Sequence, residues 1–556
     1  MFRHCASLRS RALVIAVAGA LGVSGAAFAA VPAGGQFSVL SHATQLSRGD
    51  VVQSAVPLTR TVHVTVALKL RNDAQLKAQL ARPGQGAMTE AQIAADYLPT
   101  AAQAQAVVDY LKQAGFTNVR VSSNRMLVSG DASAAAAQAA FKTTLVNVHT
   151  HDGRSAFANN SAIQIPAALQ GSVQAVLGLQ TVHKAHILAK PMQTGTVGVF
   201  GHNPLDFASI YDANSLPAAT NINVAVFGWG SMAPTLKDLK TFTTTNGLKN
   251  VTTHVVCVDY GGYNSGVIKT TDPTCANYDE GTTEWDIDSQ DIVAMTGGVR
   301  SLTFYAAYGG YNTSITHALN EIVTPTKGEP KAKVINMSFG ECERFEDINQ
   351  GGDGSAQADD ALFQLGALHG QTFSASTGDG GYDECAAYGF PPADNSASYP
   401  ASSPWVVAVS GTTLRASTTT WARENVWIDA GGSPSSFEMA QPWQTALTYG
   451  PYAGYRGPDV AFDANPSSGA IVIVYGQYSQ WGGTSLASPI FVGAWARIVQ
   501  SNSKLGFAAP SLYTLPYSAL HDVLAGNNGY YVAKRGWDWA TGLGSFDVGA
   551  AAAALK

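Results

Sequence analysis

Charge is scarce in this chain: 13% of its 556 residues are Asp, Glu, Lys or Arg, with a formal net charge of −6. No sustained basic run occurs, so a nucleic acid is not expected as a partner. Few ionisable groups also limit the repulsion that develops when carboxylates protonate, so the chain is expected to tolerate acid. Cysteine is scarce too, at five residues. No CxxC spacing or neighbouring histidine cluster marks a metal site among them. After the N-terminal region no long apolar run recurs, so no membrane anchor is expected. Apolar residues (46%) and glycine (56) are plentiful, as in a well-buried globular protein of two or more domains.

Arg3, Arg9 and Arg11 precede an apolar run over 13–23, and Ala27-Phe28-Ala29 supplies the small residues that signal peptidase requires. Residues 1–29 therefore read as a secretory signal peptide, and the protein as exported, to the extracellular space. Cys5 leaves with the signal. The remaining Cys257, Cys275, Cys342 and Cys385 are an even set in an exported chain, and pairing by proximity gives Cys257–Cys275 and Cys342–Cys385.

Residues 30–185 mix alternating strands (63–68, 119–121, 126–128) with helical stretches (101–115, 132–142), the pattern of a small α+β domain. No cluster there looks catalytic. Its position between a signal and a second domain suits a folding chaperone and inhibitor, and an accessory binding domain is the plainer option. The pattern breaks over 186–200, where His186-Ile187-Leu188-Ala189-Lys190-Pro191-Met192 reads as a linker carrying a maturation site. A second domain is placed at 201–556, and within it the register changes from Asn223. Short continuous apolar runs at 224–228, 302–305, 334–338, 372–376 and 405–409 alternate with helix candidates at 284–295, 315–323 and 358–369. That is the pattern of a covered parallel α/β sheet, which carries its chemistry at strand C-termini and helix starts.

Gly482-Gly483-Thr484-Ser485-Leu486-Ala487-Ser488-Pro489 opens an apolar helix. A serine there has free N–H groups and a positive dipole end beside its hydroxyl, which suits attack on a carbonyl. Pro489 is expected to fall in the first turn, where it is tolerated. A capped Gly turn is the plain alternative. Glu284 and Asp288 are four apart, so on a helix they meet on one face and invite a shared proton. Glu284 can then take the proton of Ser485 while Asp288 holds Glu284, the alternative being a solvated acidic helix start. Asp379, between glycines just after an apolar strand, can donate to an oxyanion when protonated. An Asx turn is its structural alternative, and Asp383 a weaker competitor.

Together, Gly483-Thr484-Ser485-Leu486-Ala487-Ser488-Pro489 and Val334-Ile335-Asn336-Met337-Ser338 resemble the subtilase clan. A subtilisin needs a catalytic His in a His-Gly-Thr context, and His369-Gly370-Gln371 is in the wrong place. Glu284-Trp285-Asp286-Ile287-Asp288, Ser376-Thr377-Gly378-Asp379 and Gly482-Gly483-Thr484-Ser485 instead resemble the sedolisins, or serine-carboxyl peptidases, of the bacterial, pepstatin-insensitive type. The resemblance implies a subtilisin-like, mostly parallel α/β sheet with helices on both faces, preceded by a small ferredoxin-like propeptide. It implies Ser485 as nucleophile, Glu284 as base, Asp288 as its partner and Asp379 as oxyanion donor. Gly482 stands where many relatives have Ser. The resemblance also implies one structural calcium ion held by the carboxylates of Asp522 and Asp538 and the carbonyls of Val523, Lys534 and Gly536. Lys534 stands where the family has Gly, which places an extra positive charge near the site. Oxygen-only ligation suits Ca2+.

The expected activity is that of an acid-active endopeptidase on protein and peptide substrates, made as a proenzyme with its propeptide as intramolecular inhibitor. Carboxyls near their ordinary pKa work in acid, where imidazole does not. Two other readings stand beside it: a Ser-His-Asp protease, disfavoured by the missing His motif, and a non-catalytic, calcium-stabilised secreted binding protein of the same fold. A monomer is the default expectation.

Overall fold

Alternation in the Thr61–Leu68 strand shows how the two halves of the molecule are joined. Val62, Val64 and Val66 point into a local core with Val107, Leu111, Phe116, Val128 and Phe141. On the opposite face Ala67 joins the large core of the second domain, and Thr65 bonds His317 at 2.8 Å. One strand thus buries both faces, which accounts for its nearly continuous burial. This computed structural model describes residues 35–192, 200–262, 265–270, 272–276 and 280–556. The expected signal peptide, and the 193–199 part of the linker, lie outside the described residues.

The N-terminal unit is a four-stranded antiparallel sheet in the order Thr117–Val121, Leu127–Ser133, Thr61–Leu68, Val173–Leu177. The helices Ala101–Gln113 and Ala134–Phe141 pack on it. Thr100 caps the first through a reciprocal bond with Gln103, a signal of about 1 kcal/mol that is legible in the sequence. A three-stranded sheet of Val51–Ala55, Leu145–His149 and Ser155–Asn159 adds to this unit and was not anticipated.

The second domain is a mixed α/β fold. Its nine-stranded sheet has Asn223–Trp229 near the centre, flanked by Ser301–Ala307 and Val334–Met337, with Thr372–Ser376 and Val407–Ala416 continuing on one side. These pairs are parallel, and Lys269–Thr270 and Trp421–Val426 add antiparallel strands. Burial on both faces explains the uninterrupted apolar runs, with Val224, Ala225, Val226 and Phe227 all at 0% exposure.

Helices fall into two packed groups. Thr282–Thr296 lies along Thr484–Ser501, and Gly493 permits their close approach because a Cβ there would sit 2.5 Å from Met295 Cβ. Asn312–Val323 packs with Ser355–Leu368, and the latter meets the N-terminal sheet at Val173–Leu177. Both expected disulfides, Cys257–Cys275 and Cys342–Cys385, are present.

Pro489 corrects one expectation. The helix begins at Thr484 after Gly483, so Pro489 is its sixth residue and lies beyond the first turn. Its missing N–H leaves the Ser485 carbonyl without the usual helical donor, and the Ser338 hydroxyl reaches that oxygen at 3.3 Å.

Candidate active site

Trp285 seats the acidic helix. Its indole N–H donates to the Trp229 carbonyl at 2.9 Å, and its ring packs edge-on against Trp229 at 5.5 Å, an aromatic contact of about 1 kcal/mol. Cβ atoms added at Gly228 or Gly281 would fall 2.4 and 2.8 Å from that indole, so both positions need glycine. This anchor sets the start of Thr282–Thr296 at the C-terminal end of the central strand.

Glu284 and Asp288 are both fully buried on this helix. Burial, then the charge of Asp288, raises the Glu284 carboxyl well above its ordinary range, and the nearby Ser485 hydroxyl opposes that rise. Burial likewise raises Asp288 well above its ordinary range, opposed by hydrogen bonding from Ser338 and Asn336. Two buried carboxyls one turn apart cannot both ionise cheaply, so the pair holds a proton. Ser485, the second residue of its helix, is fully buried beside Glu284, and its Oγ makes no well-aligned hydrogen bond among the described residues.

Asp379 follows the Thr372–Ser376 strand on a turn where Gly378 takes φ +104°. Its Oδ1 accepts both the Thr484 N–H and the Thr484 hydroxyl at 2.8 Å, while Oδ2 is buried without a partner. Burial pushes its pKa to about 7. With Oδ1 committed as a double acceptor, the proton belongs on Oδ2. Asp383, the competitor, caps a short turn by accepting the Ala386 and Ala393 N–H groups at 3.1 and 3.2 Å.

The 184–192 segment, most of which falls in the 186–200 stretch read from sequence as a linker, is the largest difference from expectation. It runs extended through the cleft: Ala185 N–H donates to the Gly310 carbonyl at 2.9 Å, and His186–Ile187 pairs with Phe339–Gly340. Lys190–Pro191 then pairs with Trp481–Gly482. Between them the Leu188 N–H donates to Glu284 Oε2 at 3.0 Å. A Cβ on Gly483 would meet the Leu188 carbonyl at 2.3 Å and Asp379 Oδ2 at 2.6 Å, so these two oxygens converge over Gly483. Sequence reasoning missed Leu188, and also Thr484 as the holder of Asp379 and Ser338 as the donor to Asp288. Ser338 carried one legible signal, its position just past the end of an apolar strand. Gly482 is required in this chain, because a Cβ there would lie 2.4 Å from the Ala464 carbonyl.

His369 ends the Ser355–Leu368 helix and bonds Glu90 of the N-terminal unit at 3.0 Å, so its ring is committed at the contact between the two units.

The expected calcium residues come together. Gly536 N–H donates to Asp522 Oδ2 and Lys534 N–H to Asp538 Oδ2, both at 2.9 Å. No donor reaches the carbonyls of Val523, Lys534 or Gly536 among the described hydrogen bonds. Asp538 Oδ1 also accepts the Ala540 and Thr541 N–H groups at 2.9 Å and the Thr541 hydroxyl at 3.1 Å, and Asp522 Oδ2 the Tyr517 hydroxyl at 2.8 Å. What the set offers a hard cation is therefore three open carbonyls beside two carboxylates already engaged in local hydrogen bonds. No group of three or more His, Cys, Asp or Glu able to hold a metal occurs among the described residues, so ligation here would depend on main-chain oxygens. The Lys534 ammonium lies 3.9 Å over the Tyr449 ring, which holds its charge by a cation–π contact.

Comparison with known proteins follows the same division. Residues 49–182 match the family model described as the Pro-kumamolisin activation domain, and 283–515 match the Subtilase family. Sedolisin of Pseudomonas sp. (strain 101) is 41% identical, over 96% of this chain and 94% of its own length. Xanthomonalisin of Xanthomonas sp. (strain T-22) is 39% identical, over 89% of this chain and 66% of its own. The solved structure of Pseudomonas sedolisin, a serine-carboxyl proteinase complexed with pseudo-iodotyrostatin, aligns with a TM-score of 0.58 at 41% identity. It covers 65% of this chain and 98% of that one.

Proposed function

Because the chain belongs to the sedolisin family of serine-carboxyl peptidases, we propose that Ser485 is its nucleophile, Glu284 its general base, Asp288 the partner of that base and Asp379 its oxyanion donor. The protein is a serine-type endopeptidase made with an N-terminal activation domain. Ser485 Oγ attacks the substrate carbonyl as Glu284 takes its proton, and the Asp379 Oδ2 proton stabilises the oxyanion. Glu284 returns the proton to the leaving amine, giving an acyl-enzyme that water hydrolyses by the reverse proton path. The observation that carries this reading is the convergence of Asp379 Oδ2 and a peptide carbonyl over Gly483, beside Ser485.

The domain limits we adopt are a signal peptide at 1–29, an activation domain at 30–185, a linker at 186–200 and a catalytic domain at 201–556. The strand order of the activation unit, with each central strand antiparallel to its neighbours, supports a ferredoxin-like reading. The extended 184–192 segment supports maturation within the linker, first at Leu188–Ala189, the bond whose carbonyl lies with Asp379 Oδ2 over Gly483. Export is supported by the N-terminal pattern, and no helix of the described residues is long and apolar enough to cross a membrane. The enzyme is taken as a monomer acting on protein and peptide substrates, with its activation domain as an inhibitor in cis. Asp522, Asp538 and the carbonyls of Val523, Lys534 and Gly536 would hold one Ca2+, which would tie the 522–538 loops together.

Acid-quenched mass spectrometry with a slowly deacylated peptide ester tests the mechanism. The expected result is an acyl adduct on the peptide containing Ser485, absent from Glu284→Gln. Turnover with no adduct and undiminished activity in Ser485→Ala contradicts it.

A further inference from the structure

A buried chain of hydrogen bonds runs from Asp288 away from the cleft. Ser338 Oγ donates to Asp288 Oδ1 at 2.6 Å, and Asn336 Nδ2 donates to Ser338 Oγ at 2.9 Å. Ser488 Oγ donates to Asn336 Oδ1 at 2.7 Å, and Ser374 Oγ lies 2.7 Å from Ser488 Oγ. All five side chains are fully buried. They come from four elements: the acidic helix, the Val334–Met337 strand and its end, the Thr372–Ser376 strand, and the nucleophile helix one turn after Ser485.

Donor counting gives the chain one direction. Ser488 has its single proton engaged by Asn336 Oδ1, so Ser374 must donate to Ser488. Asn336 receives at its oxygen and gives from its nitrogen, which leaves the Ser338 proton for Asp288 Oδ1. Ser338 also reaches the Ser485 carbonyl at 3.3 Å, the oxygen freed by Pro489. With the single Ser338 proton on the shorter of these two contacts, Asp288 Oδ1 is an acceptor. Glu284 Oε1 and Asp288 Oδ2 accept no well-aligned hydrogen bond among the described residues, with Ser485 beside Glu284 and Asn336 itself beside Asp288.

We propose that Asn336 is a positioning residue that, through Ser338 and Ser488, confines the shared proton of the carboxyl pair to Asp288 Oδ2 and ties that setting to the helix carrying Ser485. The proposal rests on the assignment of Glu284 and Asp288 as base and partner. With the donor at Oδ1 in place, Asp288 supports the singly ionised pair that the attack step needs. Without it, that state forms at higher pH and the base is less well oriented.

The test compares acid-activated wild type with Asn336→Leu, Asn336→Asp and Ser488→Ala, reading kcat and KM across a pH series together with thermal unfolding. Asn336→Leu should lose about tenfold or more in kcat, the cost of a hydrogen bond to a charged group. Its acid limb should move to higher pH, with KM little changed. Asn336→Asp should recover most of the loss in acid, because a protonated carboxyl supplies one O–H donor and one carbonyl acceptor. Ser488→Ala should shift the limb in the same direction by less, and it decides the matter if Asn336→Leu does not fold. An unchanged acid limb with only a lowered Tm, or an Asn336→Asp variant no better than Asn336→Leu, would overturn the proposal. Inactive Ser485→Ala and Glu284→Gln controls beside that result would leave the catalytic assignment standing. Active controls would overturn the assignment itself.

Discussion

The proposed catalytic centre buries carboxyls as its ionisable groups, whereas the surface it shares with the activation unit buries histidines as well. At the centre the buried groups are carboxyls: burial raises Glu284, Asp288 and Asp379, the last to about 7. Among the histidines buried at the shared surface, burial lowers both His183 and His369 to about 4. His369 meets Glu90, with Lys331 nearby; His183 stacks on Phe345 at 3.9 Å and lies 3.8 Å from Glu341, itself raised to about 8 by burial. A fall in pH therefore acts on these two histidines with the sign opposite to that for the buried carboxyls. A carboxyl raised by folding contributes stability below its ordinary pKa of about 4 and loses it as pH rises through about 7. A histidine depressed by folding contributes stability above about 6.5 and loses it as pH falls through about 4. Between those limits acid favours the working state of the site while weakening its cover.

The largest test of this contrast separates cutting from release. Ser485→Ala should remain full length in acid, while size-exclusion or limited proteolysis still reports a loosened activation unit. Normal processing of that variant in the purified state would place the cut elsewhere. Next in size is Asp379. Its replacement by Ala should lower kcat about 10²–10³-fold, the range for losing one oxyanion donor. Asn in its place keeps an N–H donor at every pH, so the part of the alkaline limb near pH 7 should flatten in Asp379→Asn. A limb that stays put would assign that titration to another group.

Much of this arrangement was legible before the fold was known, because it depends on local pattern. The strand at 372–376 matches its expected limits, and the acidic helix differs by a residue or two at each end. Continuous apolar runs report strands covered on both faces, and an i, i+4 carboxyl pair stays together on any helix. Leu188 and Asn336 were not legible, for a different reason. Leu188 acts through main-chain N–H and C=O groups that every residue carries, so no side chain advertises its place. Asn336 reads as a polar interruption in a buried strand until Ser488 and Asp288 are brought around it and its neighbour Ser338 from two other parts of the chain. Pro489 was placed one turn too early because the cap at Gly483 fixes where the helix begins.

A smaller effect is expected at the shared surface. His369→Gln removes a titrating group without adding charge, so the activation unit should stay docked to a lower pH, by about half a unit, when maturation is followed on gels. An unchanged maturation pH would leave His183 and the carboxyls around it as the acid-sensitive groups. Smallest of all is the loop at 522–538, remote from this contrast: chelation should lower Tm by a few degrees in the wild type and not in Asp538→Ala. Equal loss in both would argue against a bound cation there.

The most direct test of the account is hydrolysis of casein or haemoglobin by acid-activated protein, from strongly acid to mildly alkaline pH. It is run with and without pepstatin and beside Ser485→Ala. The account predicts activity confined to acid, resistant to pepstatin and abolished in the variant. Activity that peaks at neutral or alkaline pH, or that survives in Ser485→Ala, would contradict it.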